Sequence, residues 1–159
     1  MLAFTQDVYD TLKWVHIMAA IVWVGGGIFV QIYASRMRRA GEDDRLAAFA
    51  RDVEKLGNMV FLPASVVVLV MGIAMVWYAP FIEWNDTWIL LGLLGILSTA
   101  LFGALFIGPE AGKVGSLSLE RGAGDPEVRA RIKRLFLVSR IDLAVIIFVI
   151  AMMVFKPGA

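Results

Sequence analysis

The sequence predicts an all-α integral membrane protein in which four transmembrane helices form one bundle. Composition, four long apolar runs and an uneven distribution of lysine and arginine support this prediction. Hydrophobic residues make up 60% of the 159 residues, charged residues make up 18%, and the mean hydropathy is +0.78. A soluble domain has roughly 45–50% apolar and roughly 25% charged residues. We therefore expect a single transmembrane domain over residues 1–159.

Each apolar run is long enough to cross a membrane, because a hydrocarbon core of about 30 Å needs about 20 apolar residues in a helix. The predicted spans are about 11–35, 59–79, 88–109 and 135–155. The first run is too long for a signal peptide and follows the acidic residues Asp7 and Asp10 rather than basic ones. It is expected to remain in the mature protein.

The lysines and arginines predict the orientation of the four helices. The first and third connections carry six of these cations each, whereas the second connection, PFIEWND, carries none. Lysine and arginine accumulate on the cytoplasmic side, so both termini should face outward in a bacterial inner membrane. Trp77, Tyr78, Trp84 and Trp88 would then form an aromatic belt at the outer interface. The basic loops are interpreted as this topology signal and not as a nucleic-acid site.

Helical extensions are predicted on the cytoplasmic side over about 43–58 and 126–134. RLAAFARDVEKL places its apolar residues on one helical face, and Asp125 is followed by proline, which is typical of a helix start. A kink is expected near Pro63. Residues 112–124 are predicted to be a flexible connection.

A few polar residues lie within the predicted membrane segments: Gln31, Glu110, Arg140 and Asp142. Arg140 and Asp142 are two residues apart, so their side chains diverge by about 200° and cannot pair with each other. Glu110 and Gln31 are the expected partners of Arg140, in a structural clamp. Asp142 has no cation at matched depth and is expected to point into the bundle.

The single histidine, His16, lies about five residues inside the first span, or about 8 Å below the interface. Helical spacing places it on a polar or small stripe that should face the other helices: Lys13, His16, Ala20, Trp23, Gly27 and Gln31. Gly25, Gly26 and Gly27, the glycine notch, remove side chains where a helix or a flat ligand could approach. Gly92 is expected to face lipid.

Two roles are open for His16. As a ligand or proton carrier, it would face a cavity, and one ring nitrogen would stay free while the other bonds a carbonyl. The predicted cofactor-binding residues are then His16, Trp23, Gly26 and Gly27, with His16 as the metal ligand and haem b or copper as the cofactor. As a structural residue, it would have both nitrogens bonded within the protein and no cavity beside it.

Several motifs resemble those of a known family. HIMAAIVWVGGGIF, LPASVVVLVMGIAMV, TWILLG and MMVFKP together resemble a bacterial family of predicted integral membrane proteins of unknown function, with four helices and a closing M-x-F-K-P. The pattern H-x6-W-x-G-G, from His16 to Gly26, is also distantly similar to CopD membrane domains and HemJ-type oxidases. The HemJ resemblance implies haem at His16, although residues 88–109 lack the third-helix lysine of those proteins.

Three classes of function remain. The first is a haem- or metal-binding redox protein centred on His16. The second is an oligomeric small transporter or an ion or proton channel that uses His16, Arg140 and Asp142. The third is a structural or accessory subunit of the membrane. The sequence has no cysteine and no phosphate-loop or nucleophile signature, so it leaves enzymatic activity undecided. The expected partners are the lipid bilayer and further copies of the chain.

Overall fold

The computed structural model describes residues 2–79 and 82–157, and these residues contain helices and no strand. Pro80 and Phe81 of the second connection lie outside the described residues. The α-helices are α1 (Leu2–Ala40), α2 (Asp43–Leu56), α3 (Leu62–Tyr78), α4 (Thr87–Phe102), α5 (Gly108–Arg121) and α6 (Pro126–Phe155). Two π-helical turns, Gly57–Phe61 and Gly103–Ile107, join α2 to α3 and α4 to α5.

The elements thus form four continuous rods, each long and apolar enough to cross a membrane: Gln6–Ala40, Asp43–Tyr78, Thr87–Arg121 and Pro126–Phe155. This confirms the predicted fold class, an all-helical protein with four membrane-spanning helices. The flexible connection predicted over 112–124 is wrong, because α5 continues to Arg121. The orientation of the termini stays a prediction.

The two π turns share one local pattern. Each begins with a glycine and is followed by a proline, at Pro63 and Pro109. The Leu62 N–H donates to the Gly57 carbonyl and the Gly108 N–H donates to the Gly103 carbonyl, five residues back in each case. Proline has no N–H and its ring crowds the carbonyl four residues before it, so a wider turn accommodates it. The irregularity predicted near Pro63 takes this form.

We call the half of the bundle that contains α2 and α5 the inner half. It encloses a continuous apolar core to which α1, α2, α5 and α6 all contribute. Its fully buried large side chains are Val114, Val128 and Leu135. The start of α6 is fixed by Asp125, whose carboxylate accepts from the backbone N–H groups of Glu127 at 2.8 Å and Val128 at 3.3 Å. The extension helices are therefore part of the packed structure.

The outer half contains the α3–α4 connection. Here α1 packs along α3, and α4 packs along α6. Gly95 lies against Val149, and Gly92 is buried against Met153. The prediction that Gly92 faces lipid is therefore wrong, because close approach of α4 to α6 needs a glycine at that position. The buried apolar cluster of the outer half is small: Val76, Trp88 and Ile89.

Candidate ligand cavity around His16

A large cavity, the outer cavity, lies between the helix pairs of the outer half. Its volume is about 740 Å³, within the roughly 300–1,000 Å³ of typical cofactor and ligand sites. Apolar and aromatic side chains form nearly all of its wall. The lining residues that can carry a charge or bind a metal are Lys13, His16, Met75, Met153 and Lys156, and Tyr9 adds a hydroxyl group.

The His16 ring is held by α3. Its Nδ1 lies 2.8 Å from the carbonyl oxygen of Val68. Because a carbonyl can only accept, this bond places the hydrogen on Nδ1 and leaves Nε2 of the neutral ring with a free lone pair. Nε2 has no hydrogen-bond partner among the described residues. A Cβ on Gly72 would lie 3.3 Å from His16 Cε1, so the glycine makes room for the ring.

The outer mouth of the cavity carries Lys13, Lys156 and Trp88. Lys156 Nζ lies 5.0 Å from the centre of the Trp88 ring, a cation–π distance. Trp88 is only 6% exposed, and its buried Nε1–H has no hydrogen-bond partner in the described structure. An unsatisfied buried donor costs about 1–3 kcal/mol. The Trp88 ring therefore packs inside the protein, and its place in the interfacial aromatic belt stays a prediction.

Metal ligands are sparse around the cavity. Within residues 2–79 and 82–157, no group of three or more histidine, aspartate and glutamate side chains could hold an ion. Met75 on α3 and Met153 on α6 line the same cavity as His16. The sequence alone did not bring these thioethers near the histidine, because they lie on other helices.

A second, smaller cavity, the inner cavity, adjoins the first. Its volume is about 130 Å³, and both π turns contribute to its wall. Its polar lining residues are Gln31, Asn58, Ser65, Thr99, Ser139 and Asp142. Trp23, Thr99 and Ile146 line both cavities and so separate them.

The stripe predicted on α1 follows these two cavities. Its residues from Lys13 to Trp23 line the outer cavity, and its residues from Trp23 to Gln31 line the inner one. The glycine notch is a packing site in part: a Cβ on Gly26 would lie 2.5 Å from Phe61, and one on Gly27 would lie 3.5 Å from Leu143. Gly26 lines neither cavity, whereas Gly27 lines the inner one.

The predicted clamp between Glu110 and Arg140 is wrong. Glu110 accepts from Arg131 at 2.9 Å, and Arg131 also bonds Glu127 at 3.1 Å. Arg131 is nine residues before Arg140, or about 13 Å along the helix. Glu110, on α5, therefore lies level with Arg131 and not with Arg140.

Arg140 and Asp142 point in different directions, as predicted. Arg140 is exposed, and its Nε donates to Gln31 Oε1 at 3.3 Å. Asp142 lines the inner cavity. Within the described part of the chain, its carboxylate has no hydrogen bond or ion pair.

Four apolar helical rods that enclose two intramembrane cavities define a four-span integral membrane protein. A family model described as "Predicted integral membrane protein (DUF2269)" matches residues 10–157, and the chain belongs to this family. The resemblance drawn from the helix motifs is thereby confirmed at the level of a membrane family of unknown function. No curated protein and no solved structure matches the chain.

Proposed function

We propose that the outer cavity binds haem b, with Nε2 of His16 as an axial ligand to the iron. One observation supports this most strongly. An imidazole whose Nδ1 is bonded to the Val68 carbonyl, and whose Nε2 is unpaired, lines a cavity of about 740 Å³. Metal-binding histidines typically use the second nitrogen in this way, because the bond to a carbonyl fixes the tautomer and the ring orientation.

The size and chemistry of the cavity favour a large flat cofactor over a bare copper ion. Copper(I) accepts thioether and imidazole ligands, so Met75, Met153 and His16 are chemically suitable. A single ion, however, would leave most of an apolar space of about 740 Å³ unfilled. Haem covers such walls with its ring, and histidine with methionine is an established axial pair. Met75 or Met153, which line the same cavity, would supply the second ligand to the iron.

The outer mouth suits the acidic edge of such a cofactor. Lys13 and Lys156 line the cavity and supply positive charge at its mouth. A propionate would accept from these donors, and a charge-assisted hydrogen bond is stronger than a neutral one. The proposed site therefore combines an apolar interior, one nitrogen ligand and a cationic edge.

The test is the visible spectrum of the protein purified in detergent, alone and titrated with haemin. We expect a Soret band shifted from that of free haemin in the wild type. His16→Ala should abolish the shift, and His16→Gly with added imidazole should restore it. Trp14→Ala is the matched control, because Trp14 lies on α1, is 64% exposed and lines neither cavity.

A wild type without a shifted Soret band would overturn the haem proposal. Stoichiometric copper in the colourless protein, lost in His16→Ala, would favour the copper alternative. Protein without either cofactor would favour a transport or accessory role.

We further propose that the protein lies in a bacterial inner membrane with both termini outside and the inner half facing the cytoplasm. The cations of the first and third connections support this orientation. Reporter fusions at Asn85 and Gly122 should give opposite locations, with Gly122 cytoplasmic. Fusions that report the same side, or the reversed sides, would contradict this topology.

A further inference from the structure

We propose that the inner cavity is a binding site for a monovalent cation, either sodium or a proton bound directly to Asp142, with the Asp142 carboxylate as its anionic ligand. This proposal concerns a different cavity from the haem site and does not depend on it. It rests on three features of the inner cavity: the state of its hydroxyls, the isolation of its carboxylate and its size.

The hydroxyl groups of the cavity offer lone pairs and no free hydrogens. Ser65, Thr99 and Ser139 each donate to a backbone carbonyl in the preceding turn of their own helix, at 2.8 Å, 3.1 Å and 2.9 Å. A hydroxyl that donates its single hydrogen can only accept from anything else. The walls contributed by α3, α4 and α6 therefore present oxygen acceptors to the cavity, which suits a cation.

Among the described residues that line the inner cavity, Asp142 alone is ionisable. The neighbouring charges are engaged elsewhere. Arg140 on the same helix is exposed and bonds Gln31, and the buried Glu110 of α5 pairs with Arg131. An ionisable side chain at membrane depth is costly unless a partner or bound ion compensates its charge. A monovalent cation would supply that compensation, whereas an anion would be repelled.

The size of the cavity limits its occupant to a small species. Its volume of about 130 Å³ lies well below the roughly 300–1,000 Å³ of typical cofactor and ligand sites. A Cβ on Gly57 or Gly103, the first residues of the two π turns, would meet nothing within 4 Å. The glycines therefore leave open space beside both turns. Single π turns inside α-helices are frequently found at functional sites.

The experiment uses haem-free wild-type protein in detergent and two readouts. The first is the thermal unfolding midpoint as sodium chloride replaces choline chloride at constant ionic strength. The second is the infrared carbonyl stretch of a protonated carboxylic acid at about pH 7, where exposed carboxylates are ionised. Asp142→Asn is the test variant. Asp52→Asn is the matched control, because Asp52 is an exposed acid on α2.

A sodium site predicts a saturable rise of the midpoint in the wild type and Asp52→Asn, lost in Asp142→Asn. A proton site predicts a protonated carboxyl band in the same two proteins, absent from Asp142→Asn, and no sodium effect. Either result should persist in His16→Ala, which separates this site from the haem site. If Asp142→Asn does not fold, Asp142→Glu should shift the sodium affinity or the carboxyl band.

A wild type with neither effect would overturn the proposal. An effect that survives unchanged in Asp142→Asn, or in Asp142→Glu where only that variant folds, would also overturn it.

Discussion

The two halves of the bundle are built from the same four rods but packed in different ways. The inner half buries fourteen apolar residues of the described chain in one cluster, whereas the cluster in the outer half has three. The outer half instead surrounds a cavity of about 740 Å³. Contacts that stabilise the fold are thus concentrated away from the cavity. This separation would allow the outer half to remain open to a ligand without unfolding the bundle.

The largest expected effect comes from matched truncations in the two halves. Leu135→Ala in the inner half, at 1% exposure, should lower the free energy of unfolding by about 2–5 kcal/mol, because it creates a void in a packed core. Ile96→Ala in the outer half should cost less, because Ile96 already borders the outer cavity. Denaturation in detergent measures both. Equal losses would contradict the contrast in packing.

Glycine substitutions test the close contact that holds α4 to α6. Gly95→Ala would place a methyl group against Val149, whose branched side chain cannot move away easily, and should cost about 1–3 kcal/mol. Gly25→Ala is the control, because its Cβ would meet nothing within 4 Å. Thermal unfolding compares the two variants. Indifference at Gly95 would mean that the helices are further apart in solution.

Two polar contacts, one buried and one exposed, should contribute different amounts to the free energy of unfolding. Glu110→Ala removes the carboxylate that pairs with Arg131 in a buried setting and should cost about 1–3 kcal/mol. Arg140→Ala removes one exposed hydrogen bond to Gln31 and should cost at most about 1 kcal/mol. Unfolding free energies at low and high salt measure both. A greater loss from Arg140→Ala than from Glu110→Ala would contradict this ranking and would favour the structural role predicted for Arg140 from the sequence.

The smallest stability effect is expected at the mouth of the outer cavity. Trp88→Phe removes a buried N–H that has no partner and should leave the haem-free protein as stable or up to about 1 kcal/mol more stable. The same change should leave the affinity for haemin nearly unchanged, because the buried Nε1–H is closed off from the cavity. Haemin titration and thermal unfolding of one sample measure both effects. A several-fold loss of haemin affinity would contradict this placement of the indole N–H.

Much of the fold could be predicted from the sequence, because hydropathy and helical spacing are local properties. The four rods follow from apolar length, and the position of the α1 stripe follows from steps of three and four residues. A local pattern also marked the second π turn: Gly103 precedes Pro109 by six residues, as Gly57 precedes Pro63. The sequence prediction considered only Pro63.

The remaining features depend on how the rods are set against one another. Glu110 pairs with Arg131 and not with Arg140, and this choice depends on the offset of α5 along α6, which is a relation between two helices. Burial of Trp88 and Gly92 depends on α4 meeting α6 in the outer half. The sizes of the two cavities and their separation at Trp23 cannot be predicted from one helix, because both result from the packing of several helices.

The most direct measurement is the stabilisation that haemin gives to wild type, Leu135→Ala and His16→Ala. A ligand at 100 times its dissociation constant stabilises the folded state by about 2.7 kcal/mol. We expect the same increment in the wild type and in Leu135→Ala, because distant sites act additively, and none in His16→Ala. Equal stabilisation of His16→Ala, or no stabilisation of the wild type, would contradict a haem site in the outer half.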